Sequence, residues 1–299
     1  MNKTQAWIKL LRLSNMPTII SNSMVGLGLG MVAHSQQWED KIVAPQFIAL
    51  KIALIITFSL LCAYFGGLVL NDAVDIKHDK QYRPERPIPS GIISKRKAWI
   101  VGTSLLSFAL LLSLFTQVQA AIFMVLLIGC IFAYTFLHRF LLLALLFMSL
   151  CRGLVFVVAF SAFDVEFQTE PLFCFAIGVA WYTLVLTLIA RIEPSNNTST
   201  KWLVLLFLPS AIVPAIFYST DLQMIYIFGS LLVFVLWMAF TFFLFAINTT
   251  KVNGIHAILA GFCFLDCLYL SILGEIHLAI VAGICFLFTI ASQRKIIGT

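Results

Sequence analysis

The segment 52-IALIITFSLLCAYFGGLVLNDAVDIKHD-79 joins a long apolar run to a run of charged residues. No charged residue occurs between Ile52 and Leu70. A bilayer core of about 30 Å is crossed by a helix of about 20 apolar residues, and lipid offers no partner for backbone groups outside a helix. The segment therefore predicts a transmembrane helix within 47–71 whose end leaves the bilayer among aspartates.

Apolar runs of this length recur along the whole chain. Of the 299 residues 61% are hydrophobic and only 11% are charged, whereas soluble domains carry about 25% charged residues. The predicted fold class is therefore all-α, a multi-pass transmembrane helical bundle. Windows between polar breaks predict ten spans at 14–33, 47–71, 98–116, 119–137, 140–162, 171–190, 202–219, 224–247, 254–272 and 276–292.

The basic residues are distributed unevenly between the two sides of the predicted bundle. With the N-terminus in the cytoplasm, all of the 19 Lys and Arg residues fall on the cytoplasmic side except Lys41, Lys51 and the intramembrane Arg152. The positive-inside rule then predicts an inner or plasma membrane protein with loop 2 (72–97) and loop 6 (191–201) in the cytoplasm. Orientation explains the net charge of +6, so we expect no nucleic-acid partner.

Three aspartates of loop 2 follow a helical spacing. Asp72, Asp75 and Asp79 are separated by three and then four positions, which places them on one stripe of a helix. Carboxylates this close repel one another unless a cation gathers them, and hard oxygen ligands suit Mg²⁺, which also binds substrate phosphates. The three are therefore metal-ligand and catalytic candidates. The alternative is that loop 2 is a solvated charge run, which explains its basic residues but not this spacing.

An arginine-rich loop follows the aspartates. The segment 83-RPERPIPSG-91 contains three prolines and should form an ordered, non-helical loop. The guanidinium forks of Arg83 and Arg86 match phosphate oxygens. Beside an acidic stripe at the mouth of an apolar bundle, they predict a binding site for a lipid diphosphate.

Together these residues resemble the UbiA superfamily of intramembrane prenyltransferases. The segment 71-NDAVDIKHD-79 matches the family's N-D-x-x-D-x-x-x-D signature, and 83-RPERPIPSG-91 matches its R-P-x-R-P-I-P-S-G. Weaker similarities to the family's first, fourth, fifth and ninth spans occur at 12-RLSNMPTIISN-22, 134-YTFLHR-139, 151-CRGL-154 and Asp266. The likeness covers nearly the whole chain, so 1–299 is expected to be a single domain.

The resemblance implies nine core helices around a lipid-open cavity, with a tenth span as a C-terminal extension. It also implies Mg²⁺ as the cofactor and an enzyme, a prenyltransferase that joins the prenyl group of a polyprenyl diphosphate donor to a lipophilic, often aromatic acceptor among membrane lipids. The expected diphosphate-binding residues are Asn71, Arg83, Arg86, His138 and Arg139. The acceptor or cavity candidates are Asn15, Asn22, Tyr134, Arg152 and Asp266.

The second aspartate-rich motif of the family is replaced by 190-ARIEPSNN-197. In one interpretation Arg191 and Glu193 are catalytic, with Arg191 pairing with the diphosphate as a fixed cation and Glu193 contacting the metal. In the other, they form an ion pair at a helix end, and the protein is a non-catalytic lipid-diphosphate binding or transport protein. A CDP-alcohol phosphotransferase ranks lower because its D-G-x-x-A-R pattern is missing.

Two charged residues lie within predicted spans. Intramembrane ionisable residues are functional candidates, and Arg152 needs a carboxylate or carbonyl partner. Asp266 is one such partner. Two interpretations stay open: a structural link between the fifth and ninth spans, or binding of the acceptor.

Overall fold

The structure is a computed structural model that describes residues 2–37, 46–165, 169–192, 198–218, 224–246 and 251–295. Within these ranges the regular elements are helices. The α-helices are α1 Lys3–Leu10, α2 Met16–Gln37, α3 Gln46–Val74, α4 Ile76–Tyr82, α5 Lys95–Ser113, α6 Val118–Leu137, α7 Leu141–Phe160, α8 Thr169–Arg191, α9 Leu208–Tyr218, α10 Met224–Ala246, α11 Lys251–Ile272 and α12 Ile276–Lys295. The 3₁₀ helices are Leu13–Asn15 and Thr198–Phe207.

Nine helices of the described ranges are long and apolar enough to cross a membrane. The protein is therefore an integral multi-pass membrane protein with an all-helical fold, as predicted. The remaining predicted span, 98–116, corresponds to α5, which starts with the basic stretch Lys95–Lys97 and has a lower mean hydropathy than these nine helices. Its neighbour α3 runs antiparallel to it: Ser59 Oγ donates to the carbonyl oxygen of Ala109 at 2.6 Å, and Leu70 packs on Gly102. Hence α5 covers the same depth as α3.

Helices α2 and α7 pack closely at Gly26. A Cβ atom at this position would lie 2.7 Å from the Cβ of Ala159 and would also overlap the carbonyl oxygen of Phe156. Small residues allow such close approach of two membrane helices. The contact sets a register in which Thr18 of α2 meets Arg152 of α7.

We expect Gly26→Ala to destabilise the protein by about 1–3 kcal/mol, because an added methyl group overpacks the α2–α7 contact. The matched control is Gly129→Ala in α6, where nothing lies within 4 Å of the added Cβ. There alanine should be neutral or slightly stabilising, because it favours the helix. The midpoint of thermal unfolding in detergent measures both effects, and equal midpoints would contradict the close contact.

A small apolar cluster, which we call the mouth core, packs α1 against loop 2. Its buried residues are Ala6, Leu10, Val69, Ala73, Ile88, Ile93 and Ala98. Loop 2 is ordered but not helical between 83 and 94, as predicted, with a hydrogen bond from Ile93 N to Pro87 O at 3.0 Å. The turn uses Gly91 at φ +80°, a conformation that glycine adopts without steric cost. The mouth core thus holds the arginine-rich loop beside the end of α3.

Candidate active site

The three aspartates lie where α3 continues into α4. The backbone bonds run across the break without a change of register, from Asp75 N to Asn71 O at 3.0 Å and from Asp79 N to Asp75 O at 2.9 Å. The predicted helical spacing is therefore present. Asp72 and Asp79 are almost completely buried, with 5% and 2% of their surface exposed. Burial of two carboxylates requires nearby positive charge.

Arg86 supplies that charge from loop 2. Its Nη1 donates to Asp79 Oδ2 at 2.8 Å and lies 3.7 Å from Asp72 Oδ1. Arg86 is itself only 4% exposed. One guanidinium therefore stands between two buried carboxylates, a geometry in which loss of any member leaves an uncompensated charge.

Arg12 is a second cation at Asp72, and sequence reasoning did not single it out as a site residue. Its Nη2 donates to Asp72 Oδ1 at 3.3 Å. Among the described residues other than glycine, only Arg12 has a positive φ, at φ 45° and ψ 51°. Such a backbone costs about 1–3 kcal/mol and persists where the surroundings demand it. The available signal was the leading arginine of 12-RLSNMPTIISN-22.

Asp75 faces a different partner, at the turn between α6 and α7. His138 Nε2 lies 3.1 Å from Asp75 Oδ1, and this hydrogen bond is the main reason that the pKa of His138 is raised above its usual value. Arg191, at the end of α8, donates from Nη2 to the carbonyl oxygen of His138 at 2.8 Å. The structure thus brings the predicted residues Asp75, His138 and Arg191 together from three helices.

Other predicted residues lie farther out. The side chains of Arg83 and Arg139 are exposed, with no ion pair to the three aspartates among the described residues. Glu193 lies outside the described residues. Of the two charged residues of the altered second motif, Arg191 is therefore the one whose position the structure describes.

A cavity opens below the aspartates between α2, α3, α6 and α7. Its volume is about 160 Å³, and about 860 Å³ when the open space at its mouth is included. Asn71 and Tyr134 line the mouth, and Tyr64 and Arg152 line the deeper part. The other lining residues are mostly apolar, among them Ile19, Leu60, Leu68, Leu127, Ile131, Met148 and Val155. Such a wall suits an isoprenoid chain.

Arg152 is held on the cavity wall by two contacts. Its Nη2 donates to Thr18 Oγ1 at 2.9 Å, and its guanidinium carbon lies 4.3 Å from the centroid of the Phe262 ring, a cation–π distance. Its Nη1 is buried and has no hydrogen-bond partner. The structure therefore fixes one edge and one face of this guanidinium.

Asp266 is not bonded directly to Arg152 within the described residues. Its carboxylate accepts hydrogen bonds from Ser21 Oγ at 2.6 Å and from Asn22 Nδ2 at 2.7 and 2.8 Å. The link between the fifth and ninth spans therefore passes through α2. Asn22 and Asp266 form this buried network instead of lining the cavity, and Asn15 lies at the start of α2, where its carbonyl oxygen accepts from Thr18.

The donor set at the mouth fits a hard divalent cation in part. Within the described ranges, no three His, Cys, Asp or Glu side chains converge in a metal-binding arrangement. Asp72 and Asp79 nevertheless face one positive group, Arg86 Nη1, and Asn71 Oδ1 is a buried oxygen without a partner. These are oxygen ligands of the kind that Mg²⁺ prefers. The third carboxylate, Asp75, is bonded through Oδ1 to His138 and accepts a hydrogen bond at Oδ2 from Asn71 Nδ2 at 3.3 Å.

Comparison with known proteins gives one family. The model of the UbiA prenyltransferase family matches residues 29–246. Digeranylgeranylglyceryl phosphate synthase from Saccharolobus solfataricus is 31% identical over 112 residues, which cover 36% of this chain and 37% of that protein. 4-Hydroxybenzoate octaprenyltransferase from Legionella pneumophila is 25% identical over 194 residues, which cover 64% and 65%. The chain thus spans less than two thirds of the length of the curated relatives it matches.

Solved structures share the fold at low sequence identity. A UbiA homolog from Aeropyrum pernix K1 superposes with a TM-score of 0.65 at 13% identity, over 89% of this chain and 98% of that one. A UbiA homolog from Archaeoglobus fulgidus bound to GPP and Mg²⁺ superposes with a TM-score of 0.58 at 13% identity, over 96% and 99%. These similarities establish the helical architecture.

Proposed function

Because this chain belongs to the UbiA prenyltransferase family, we propose that it transfers a prenyl group from a polyprenyl diphosphate to a lipophilic acceptor within the membrane. The observation that carries the proposal is the buried Asp72–Arg86–Asp79 arrangement at the mouth of an apolar cavity. The relative named 4-hydroxybenzoate octaprenyltransferase and a structural neighbour bound to GPP and Mg²⁺ support it. We place loops 2 and 6 on the cytoplasmic side of an inner or plasma membrane.

Asp72 and Asp79 are the proposed ligands of Mg²⁺, with Asp75 as a third when it leaves His138. The ion would stabilise the negative charge that develops on the departing diphosphate. Asn71 Oδ1 offers one further oxygen. Arg86 competes with a metal cation for these two carboxylates. A cation bound there would displace the Arg86 guanidinium, which would then be available to diphosphate oxygens.

The other basic groups of the mouth bind and orient the diphosphate in this proposal. His138 donates a hydrogen bond from its ring when it is protonated. Arg191 lies beside it, because its Nη2 donates to the carbonyl oxygen of His138. The exposed Arg83 and Arg139 are free to reach the same anion from the aqueous side. Arg191 then supplies fixed positive charge where the family usually carries a second set of aspartates.

The chemical step breaks the bond between prenyl C1 and the diphosphate oxygen, and the electron pair leaves with the diphosphate. The acceptor forms a bond to C1 and releases a proton. Between these events the allylic cation must be kept from water, and the rings of Tyr64 and Tyr134 with the apolar wall exclude water and present π faces. The cavity thus positions the chain and protects its reactive end.

The test is Mg²⁺-dependent release of diphosphate from labelled geranylgeranyl diphosphate by the purified protein in nanodiscs, with membrane extract as the source of acceptor and mass spectrometry of the products. We expect release and a prenylated product. The alternative, a non-catalytic binding or transport protein, is favoured by the altered second motif, in which Arg191 is bonded to a backbone carbonyl. Metal-dependent donor binding without release in any extract would support that alternative and contradict the enzyme.

Arg86→Ala should tighten the binding of Mn²⁺, used as a probe for Mg²⁺, by about tenfold. The reason is that removal of Arg86 leaves Asp72 and Asp79 without their shared cation, and a buried charge without a partner is strongly unfavourable. Electron paramagnetic resonance of free Mn²⁺ measures the affinity directly.

The control for this variant is Arg96→Ala, which removes an exposed basic residue of the same loop region and should leave Mn²⁺ affinity unchanged. Size-exclusion chromatography checks that both variants are folded. Weaker Mn²⁺ binding by folded Arg86→Ala would show that Arg86 supports the metal site and does not compete for it.

A further inference from the structure

A second cavity lies between α10, α11 and α12, at the end of the bundle opposite to the aspartates. Leu270 and Glu275, on either side of the turn between α11 and α12, lie within 4 Å of the Cβ atom that Gly28 lacks. Gly28 is about 18 Å along α2 from Met16, the first residue of that helix. The volume of this second cavity is about 380 Å³, and about 790 Å³ with the open space at its mouth. None of its lining residues lines the cavity below the aspartates.

The second cavity opens toward the lipid. Ile225 of α10 and Ile280 of α12 line it and are 78% and 58% exposed. Gly229 also lines it, and a Cβ atom added there would meet nothing within 4 Å. The size is near the lower end of the range for ligand pockets, which suits one hydrocarbon chain. Because hydrocarbon surrounds the spans of a membrane protein, a ligand of this cavity enters from the membrane.

Two serines form a hydrogen-bonded pair on the wall of this cavity. Ser271 Oγ donates to the carbonyl oxygen of Cys267 at 2.8 Å, and Ser230 Oγ lies 2.9 Å from Ser271 Oγ. A serine hydroxyl carries one hydrogen, and that of Ser271 is used on the carbonyl. The hydrogen between the two serines is therefore that of Ser230. Both hydrogens are used, so the pair offers only lone pairs to the cavity.

These lone pairs favour a ligand that brings a hydrogen-bond donor. Ser230 is only partly buried, and its oxygen can accept from a hydroxyl group but cannot donate to an ether or ester oxygen. The thiol of Cys267 is used as well, because it donates to the carbonyl oxygen of Ala279 at 3.2 Å.

The charge of the wall favours a neutral ligand. None of the described residues that line the second cavity is Lys, Arg, His, Asp or Glu. A charged headgroup would therefore lack a partner there, at a large desolvation cost. The matching ligand is an apolar chain that ends in a hydroxyl group.

We propose that the second cavity is a binding site for a neutral membrane lipid with a free hydroxyl group. The hydroxyl donates to Ser230 Oγ, and the chain lies against the apolar wall, so that the lipid bridges α10, α11 and α12. A long-chain alcohol and a diacylglycerol carry the same donor, and the experiment distinguishes these two sources. The site goes beyond the proposed prenyl transfer and does not depend on it.

The experiment uses the fluorescence of Trp237, whose ring centroid lies 5.6 Å from that of the cavity residue Phe264. The probe is octadecanol with two bromine atoms in mid-chain, because bromine quenches tryptophan fluorescence on contact. Its methyl ether, which lacks the donor, is the comparison, and both are titrated into the full chain in nanodiscs. We expect saturable quenching, with half-saturation at about three- to tenfold lower concentration for the alcohol, as one hydrogen bond supplies. Trp237→Phe should remove the saturable part.

Variants locate the site. Gly229→Leu fills the cavity and should remove saturable quenching by both probes. Ser230→Ala combined with Ser271→Ala removes the acceptors, so alcohol and ether should reach half-saturation together while saturable quenching persists. Ser113→Ala removes a hydroxyl of α5 that is bonded within its own helix and should keep the full preference. Size-exclusion chromatography checks that each variant is folded.

The other outcomes are distinct. Equal half-saturation of the two probes in the wild-type protein would overturn the hydroxyl assignment. Quenching that does not saturate, or that persists in folded Gly229→Leu, would show contact with bulk lipid only and overturn the site. Stronger quenching by a brominated phosphatidylglycerol than by the alcohol would overturn the neutral class.

Competition identifies the source of the hydroxyl and the cavity that is occupied. Reversal of the quenching by unlabelled diacylglycerol at lower concentration than by unlabelled octadecanol would support the site with a glycerolipid as its ligand, and the reverse order would support it with a long-chain alcohol. Geranyl diphosphate with Mg²⁺ should not reverse the quenching. Reversal by that donor would place the alcohol in the cavity below the aspartates and overturn the inference, without bearing on the proposed function.

Discussion

Asp72→Asn is expected to lower the Mg²⁺-dependent release of diphosphate from geranylgeranyl diphosphate by about 100- to 1000-fold, the range found when one preorganised electrostatic group of an active site is removed. Asp72 is the carboxylate that both Arg12 and Arg86 approach, and it is a proposed metal ligand. Asparagine keeps the shape but removes the charge that holds these cations. Initial rates in nanodiscs measure the loss.

The matched control is Asp164→Asn, because Asp164 is exposed and follows α7 at the end opposite to the aspartate stripe. Its rate should equal that of the wild-type protein. Donor binding by Asp72→Asn should weaken together with the rate, because the same charge serves both. A rate within about threefold of the wild-type value would contradict a role for the stripe in activating the donor, since this is far below the effect of such groups.

Asp266→Ala is expected to destabilise the protein by about 2–4 kcal/mol, because Ser21 and Asn22 would lose their shared acceptor in a fully buried site. The network holds α11 to α2, and α2 in turn positions Thr18 against Arg152. The midpoint of thermal unfolding in detergent should fall clearly.

Asp266→Asn separates the hydrogen bonds from the charge. The amide oxygen still accepts from Ser21 or Asn22, so the loss of stability should be smaller than in the alanine variant. If alanine and asparagine gave the wild-type midpoint, the bonds seen between α2 and α11 would not contribute to stability. If both lowered it equally, the negative charge would be the important property.

Features that depend on local periodicity were predictable from the sequence. The aspartate stripe follows from the helical repeat, because residues three and four apart share a face whatever the fold around them. The ordered arginine loop follows from its prolines and glycine. The ion pair of Arg86 with Asp79 is also local, since the two residues are seven positions apart. Short separations leave few alternatives for such contacts.

Features that depend on packing between distant helices were not predictable. Arg12 and Asp72 are 60 residues apart, and Arg191 and His138 are 53 apart. Their contacts exist only because α2, α3, α6 and α8 place the relevant ends at one face of the bundle. A sequence shows which charges exist but does not show which of several basic groups reaches a given carboxylate.

The partner of Arg152 shows a second limit. From the sequence, charge complementarity made Asp266 one possible partner for this intramembrane arginine. In the structure, neutral donors on α2 satisfy Asp266 at 2.6 to 2.8 Å, and Thr18 accepts from Arg152. Hydroxyl and amide side chains within apolar spans are hard to rank as partners of a charged residue from the sequence, because they serve equally well in hydrogen bonds between packed helices.

The short helix α1 has a practical consequence for altering this protein. Ala6 and Leu10 are completely covered by α3 and loop 2 through the mouth core, and the strained backbone of Arg12 follows directly. A truncation of the first ten residues, or a rigid fusion partner attached there, would uncover apolar surface at the ion-pair cluster and loosen Arg12 from Asp72. The opening helix therefore belongs to the scaffold of the site, although it crosses no membrane and carries none of its acidic groups.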